Sequence, residues 1–210
     1  MEMKGIDLYL IRHAQSLANC RPEYISGRSN DVVLSEAGIK QSETLKKRLE
    51  LERLNFDRVY SSPAVRARET ARISINENFV MDERLQELDQ GEWVGRLRNE
   101  IYTPEILALI NKDNHNFASP KGESQKEVGE RMYDFVKDRV LGAPEGSKIA
   151  AFSHGVAIKC LLREIMQFDT NLTWRMNIEN TSITQLRYHD NLWWPIRIND
   201  YAHLSQLQDS

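Results

Sequence analysis

The apolar positions change their period along the chain, and those changes divide it into elements. Residues 6–11, IDLYLI, form a short apolar run broken only by Asp7, the pattern of a strand covered on both faces. In 34–54, LSEAGIKQSETLKKRLELERL, the apolar residues thin to one side, with Leu45 and Leu49 a turn apart. That spacing predicts a helix, and Ser35 is placed to cap it. FDRVYSS at 56–62 predicts a second short strand, and PAVRARETARISI at 63–75 a second helix with Pro63 in its first turn.

The clearest helical signal lies at 124–141. Val128, Met132, Phe135, Val136 and Val140 recur at three- and four-residue spacing, while Lys126, Glu127, Glu130, Lys137 and Asp138 fall elsewhere. SKIAAFS at 147–153 predicts a compact buried strand and GVAIKCLLREIM at 155–166 a mostly apolar helix. SITQLRY and WWPIRI predict two late strands. This alternation argues for an α/β fold, a three-layer α/β/α sandwich around a mostly parallel sheet. The stretch 96–121 fits the pattern least and reads as a small cap inserted over the sheet. The whole of 1–210 is expected to form one domain, with no internal repeat or linker.

Composition narrows the partners. The formal net charge of −3 supplies no global basic surface for nucleic acid or an anionic membrane. The apolar run near the N-terminus is interrupted by Arg12 too soon for a signal peptide, and nothing later approaches the roughly 20 apolar residues of a membrane span. Cys20 and Cys160 make neither a disulfide framework nor a metal-ligand pattern, so cytoplasm is the expected compartment. A homodimer is one option that the sequence leaves open.

The candidate chemistry sits at three equivalent places. Arg12 and His13 follow the first strand. Ser61, Ser62 and Pro63 follow the second, with Arg66 in the opening turn of its helix. Ser153, His154 and Gly155 follow KIAAF. Open α/β sheets bind ligands outside the carboxyl ends of their strands. If these strands are parallel, two arginines and two histidines converge on one rim beside helix N-termini, which favour anions. The expected ligand is a phosphate. Each piece has a bland alternative: a solvated Arg-His loop, surface charges shared with Arg68 and Arg72, a histidine in a capped helix start. Ser153 and His154 are adjacent, which disfavours serine-hydrolase geometry, and there is no G-x-S-x-G elbow. Five scattered histidines without H-E-x-x-H indicate no metal site. No P-loop or dinucleotide fingerprint is present, so no cofactor is expected.

LIRHAQSLAN, SSPAVRARETA, LQELDQGEW, PKGES and FSHG, in that order, together resemble the histidine phosphatase superfamily, the phosphoglycerate mutase-like proteins. NTSIT and NDYAHL resemble its C-terminal segments, so the likeness runs from about residue 6 to 204. It implies that His13 attacks phosphorus as a neutral imidazole, its other N–H held by an acceptor such as a backbone carbonyl. Arg12, Arg66 and His154 would hold the phosphoryl oxygens. Asn19 matches a further phosphate-contacting amide, and Ser26 and Gly27 a loop that reaches substrate. Glu87 aligns with the general acid/base, in competition with Glu83 and Glu92, and is expected to carry the proton once a phosphate dianion lies beside it. Two positions depart from the family. Ala14 replaces a frequent glycine, and Val94 replaces a glutamate that would contact substrate. Trp93 is retained and reads as a packing anchor; His203 reads as structural and His189 as part of a turn.

The resemblance implies a metal-independent, histidine acid phosphatase-type phosphomonoesterase acting on a small phosphorylated metabolite. Sugar phosphates, phosphoglycerate, α-ribazole phosphate and phosphoserine all fit. A mutase that moves phosphate between hydroxyls is the alternative. It needs a large closing cap to keep water from the phosphohistidine, and only 26 residues separate Gly95 from Gly122. A catalytically silent binding module is the third reading, opposed by the usable chemistry at Arg12, His13, Arg66, Glu87 and His154. Selectivity is expected in 20–30 and 96–121, where Tyr102, Leu107, His115 and Phe117 either touch a leaving group or pack the cap.

Overall fold

The computed structural model describes residues 4–207. Its strands are β1 (Ile6–Arg12), β2 (Arg58–Ser61), β3 (Val80–Met81), β4 (Lys148–Ser153), β5 (Ile183–His189) and β6 (Leu192–Asp200). They form one sheet in the order β3-β2-β4-β1-β5-β6. The first four in that order are mutually parallel, and β5 and β6 continue antiparallel at the far edge. The helices are α1 (Glu36–Leu51), α2 (Val65–Ser74), α3 (Arg98–Ile101), α4 (Pro104–Lys112), α5 (Gln125–Arg139), α6 (Gly155–Met166) and α7 (Leu172–Arg175).

The sheet is covered on both sides, which explains why its central strands read as continuous apolar runs. Leu8 and Leu10 of β1, with Ile149 and Ala151 of β4, face a core built with Val128, Met132 and Phe135 of α5 and Ile158 and Leu161 of α6. Their neighbours Tyr9, Ile11, Ala150 and Phe152 face the other side, toward Leu45 and Leu49 of α1 and Ala71 of α2. Leu8, Leu10 and Ile11 are fully buried, each worth about 1.5–3 kcal/mol relative to exposure. This is the expected α/β/α sandwich.

Local signals fix the helix starts. Ser35 Oγ accepts from the Gly38 N–H at 3.0 Å, and Ser124 makes a reciprocal capping box with Glu127. The hairpin between β5 and β6 turns on Asp190 and Asn191, both at positive φ, as a two-residue primed turn requires. One expectation changes. Helix α2 starts at Val65 with Ala64 as its cap, so Pro63 lies before the helix. Residues 62–64 are needed to turn the chain, with the Ser62 N–H still bonded to Phe152 O at 2.9 Å. Strand β3 has two exposed residues and no sequence signal. The stretch 96–121 contains α3 and α4, neither of which has a fully buried residue.

Among the described residues no helix is long and apolar enough to cross a membrane.

Candidate active site

The ladder of β1, β4 and β2 brings the three strand ends together. Arg12 pairs in register with Ser153, and Ser61 with Phe152. The pairing continues past the strands, where the His13 N–H donates to Ser153 O at 2.9 Å. His13 and His154 therefore stand side by side, ring centroids 5.0 Å apart. Arg66, 4% exposed, reaches between them from the first turn of α2.

Hydrogen-bond partners settle the tautomers. His13 Nδ1 lies 2.7 Å from the Ala14 carbonyl, which can only accept, so Nδ1 carries the proton and Nε2 the lone pair. Arg66 Nε–H donates to that Nε2 at 3.3 Å. On His154, Nδ1 accepts from an Arg66 terminal nitrogen at 3.1 Å, leaving Nε2–H to donate to Ser62 Oγ at 2.8 Å. Burial first, then the Arg66 and Arg12 guanidiniums, holds His13 well below the ordinary imidazole range; burial and Arg66 do the same for His154. Burial also lowers Arg66, to about 10, which leaves it cationic at neutral pH.

The backbone of 12–14 is clamped from both flanks. Asn180 Nδ2 donates to His13 O at 2.8 Å, and the Thr181 N–H donates to Arg12 O at 3.0 Å. Thr70 Oγ1 accepts from the Ala14 N–H at 2.9 Å and donates to Arg66 O at 2.7 Å. An Arg12 terminal nitrogen donates to Ile178 O at 2.6 Å, while Arg12 Nε is buried without a partner. Buried N–H groups are nearly always paired, so this donor points to an anion.

A cavity of about 250 Å³ opens on this cluster, bordered by Arg12, His13, Asn19, Ser26, Gly27 and Arg66, and also by Glu87. Asn19 Oδ1 is taken up by Ser16 N–H and Oγ, both at 3.0 Å, leaving the amide NH2 to donate. Gly27 has φ +49°, and a Cβ there would meet Gln90 Cβ at 3.0 Å, so glycine is required. Its carbonyl and those of Arg28 and Ser29 accept from Arg66. The Glu87 carboxylate lies across the start of α6. It accepts from Ala157 N–H at 3.0 Å and Val156 N–H at 3.2 Å, and from its neighbour Leu88 N–H at 2.9 Å. An anion there complements the helix dipole.

Not every expected residue reaches the cavity. His154 is fully buried and does not border it; of the residues expected to touch a phosphoryl oxygen, it is set one layer back, against Arg66 and His13. Glu83 bonds Gln86, and Glu92 pairs with Lys121 on the surface, which leaves Glu87 as the carboxylate at the cavity. Arg68, Arg72 and His115 are not on its wall. His203 is buried and bonds Thr181 Oγ1 at 3.0 Å, a structural contact. Lys159, one turn into α6, borders the cavity with no sequence signal to mark it, and Asn180 and Thr181 are marked only by NTSIT. A larger open groove of about 940 Å³ between α1 and β2 contains none of these residues. Among the described residues no group of three or more His, Cys, Asp or Glu is arranged to hold a metal ion.

A parallel-sheet rim with paired histidines and paired arginines has the donors to hold a phosphoryl group. The chain belongs to the histidine phosphatase superfamily (branch 1), whose model matches residues 8–201. A Yersinia pestis protein named "Probable phosphoglycerate mutase GpmB" is 31% identical over 211 residues, covering 95% of each chain. The structure of YhfR from Bacillus stearothermophilus is similar, with TM-score 0.80 and 26% identity over 94% of this chain and 98% of its own. A mycobacterial glucosyl-3-phosphoglycerate phosphatase matches with TM-score 0.80 and 25% identity over 92% and 98%.

Proposed function

We propose that the chain hydrolyses small-molecule phosphomonoesters, without a metal, through a phosphohistidine at His13. The observation that carries this reading is the His13 tautomer: Nδ1–H is committed to Ala14 O, so the unprotonated nitrogen is the one that meets Arg66, in a residue that borders the cavity. Nε2 gives up the Arg66 Nε–H and attacks phosphorus with the freed lone pair, and the P–O ester bond breaks. Arg12, Arg66 and the Asn19 amide hold the charge that spreads over the phosphoryl oxygens. Glu87 gives its proton to the departing alkoxide, then takes one from the water that cleaves the P–N bond. His154 acts behind the cavity wall by holding Arg66.

A mutase reading is favoured by the name of the Yersinia relative. Against it stands the short excursion over the cavity, 26 residues between Gly95 and Gly122, which offers little cover for a phosphoenzyme that must exclude water.

The test is incubation with a panel of radiolabelled phosphomonoesters followed by acid or base treatment. Labelling of the wild type that is acid-labile and base-stable, and absent in His13→Ala, is expected, with phosphate release that survives chelator. Isomerisation of 3-phosphoglycerate faster than phosphate release would select the mutase. No labelling of any kind would reject both enzymes.

A further inference from the structure

The cavity at His13 does not end at the phosphate-holding side chains. Leu88, Gln90, Arg98, Tyr102 and Trp174 border it and also border a second recess of about 330 Å³. The two spaces share that five-residue border. Beyond it the walls are Trp93, Leu107, Ile110 and Phe117. The Trp93 ring lies 5.9 Å from Tyr102, nearly perpendicular, and 5.8 Å from Phe117, which makes a fixed aromatic corner. Arg98 lies over the Tyr102 ring at 5.8 Å. The other charged lining residue, Glu123, is neutralised by Arg28 at 2.6 Å and Arg131 at 3.0 Å. Space of this size and lining matches small-molecule pockets, which span about 300–1,000 Å³ and are mostly apolar with few polar groups.

Two features set the recess apart from ordinary packing. Leu107 and Trp174, large apolar side chains on α4 and α7, are 43% and 48% exposed, so the walls are not closed over. At the other side Asn114, Ser119 and Gln125 border the recess, and behind its surface their Oδ1, Oγ and Nε2 are buried without a partner, in residues at most 6% exposed. Their orientation is fixed from behind: Asn114 Nδ2 donates to Asn171 at 3.0 Å, and Arg163 donates to Gln125 Oε1 at 2.9 Å. Finished cores leave few polar atoms so unpaired.

We infer that this recess receives the alcohol portion of the substrate, and that the substrate class is phosphomonoesters of bulky, ring-bearing, largely apolar alcohols. With phosphorus in line with His13, the ester oxygen faces Glu87, and the group it carries extends across Leu88 and Tyr102 into the aromatic corner. Small esters such as phosphoglycerate fill only the first cavity and leave the apolar walls wet. The inference rests on the phosphatase reading for its chemistry, while its test is binding.

The full chain is titrated by calorimetry with (1-naphthylmethyl)phosphonate, which cannot be hydrolysed, and with methylphosphonate, read by displacement of the first compound. The naphthyl compound is expected to bind at least tenfold tighter. Leu107→Asp and Ile110→Asp, on the recess wall and off the wall of the phosphate cavity, are each expected to cost it at least fivefold while moving methylphosphonate less than twofold; two independent variants guard against one misfolding. A naphthyl preference below tenfold, or variants that weaken both compounds equally, would overturn the assignment. A chain that binds the naphthyl probe in this way yet releases no phosphate from 1-naphthylmethyl phosphate would lose the hydrolase reading and keep this one.

Discussion

Arg66→Lys keeps a positive charge and removes a fork, so it separates electrostatics from geometry. The guanidinium uses all three nitrogens. Nε reaches His13 at 3.3 Å; one terminal nitrogen reaches Ser29 O at 2.7 Å, and the other reaches Arg28 O at 3.2 Å and His154 Nδ1 at 3.1 Å. A lysine ammonium concentrates its donors on one atom and cannot span both histidines and the 27–29 carbonyls. If it stays with the histidines, about two loop carbonyls lose their partner, and at about 1–3 kcal/mol per buried unsatisfied group the fold loses about 2–6 kcal/mol. Losing one charge-assisted phosphoryl contact removes a further 1.5–3 kcal/mol or so from transition-state binding, about 10- to 150-fold in rate. The freed loop also carries Ser26 and Gly27 on the cavity wall, so kcat/KM is expected to fall about 10²–10³. Phosphate release from p-nitrophenyl phosphate and urea unfolding, run in parallel with the exposed control Arg72→Lys, check both numbers. An Arg66→Lys enzyme within threefold of wild type in kcat/KM, at an unchanged urea midpoint, would refute the geometric argument and leave charge alone as the role of Arg66.

Glu87→Gln replaces one acceptor oxygen at the start of α6 with an NH2 that cannot accept, and removes the transferable proton. Turnover of an alkyl phosphate is expected to drop about 10²–10⁴, with a much smaller loss for p-nitrophenyl phosphate, whose leaving group departs without protonation; equal losses on the two esters would remove Glu87 from proton transfer. Stability should fall with acid sooner than carboxylate titration explains. His13 and His154 are held well below the usual imidazole range, and burial pushes His203 down to about 4. Below about pH 6.5 the unfolded chain therefore binds protons that the folded chain refuses, so stability is whole above that pH and lost as pH falls. Each histidine held neutral costs at most about 1.4 kcal/mol per pH unit, so the loss between pH 7 and 5 is expected to exceed about 1 kcal/mol. Urea unfolding at the two pH values measures this, and a change under about 1 kcal/mol would mean that the histidines are not held neutral.

What was readable from the sequence follows from where the side chains point. Strands β1 and β4 and helix α5 bury their apolar residues in two dense cores, so their periods are clean and their boundaries fall within a residue or two. Arg12, His13, Arg66 and His154 were readable because parallel strands put equivalent ends on one rim. Helices α3 and α4 were not. The apolar residues of α4 face a recess and solvent instead of a core, and Leu109 is 54% exposed, so no burial period marks them. Asn180 and Thr181 act through single bonds to the backbone of 12–13, which leave no trace in spacing. Thr181 even adopts φ +56°, a conformation a β-branched residue avoids at a cost of about 1–3 kcal/mol; its bonds to Arg12 O and His203 hold it there. The distance of His154 from the cavity is likewise a matter of layer, and strand register alone does not carry it.

The two halves of the cavity are held by different physics, and this bears on how the chain chooses among esters. On the proposed reading the phosphoryl half hangs on sheet pairing: His13 on Ser153 O, Ser62 on Phe152 O, and Arg66 locked between two buried rings. Displacing these groups breaks the ladder or unpairs a buried group, so the rim stays near one geometry, and only the Arg66 Nε–H on His13 has to be exchanged for a phosphoryl oxygen when the ester arrives. The recess hangs on α4 and α7, short helices of nine and four residues with exposed apolar walls, held mostly by packing. Packing walls tolerate exchange of side-chain shape far better than a hydrogen-bonded rim tolerates a lost donor. Substitutions at Leu107, Ile110 or Phe117, which border the recess alone, therefore change which alcohol is accepted while the attack at phosphorus is untouched, whereas substitutions at Thr70 or Asn180, which reach no ligand, disturb the attack for every ester alike.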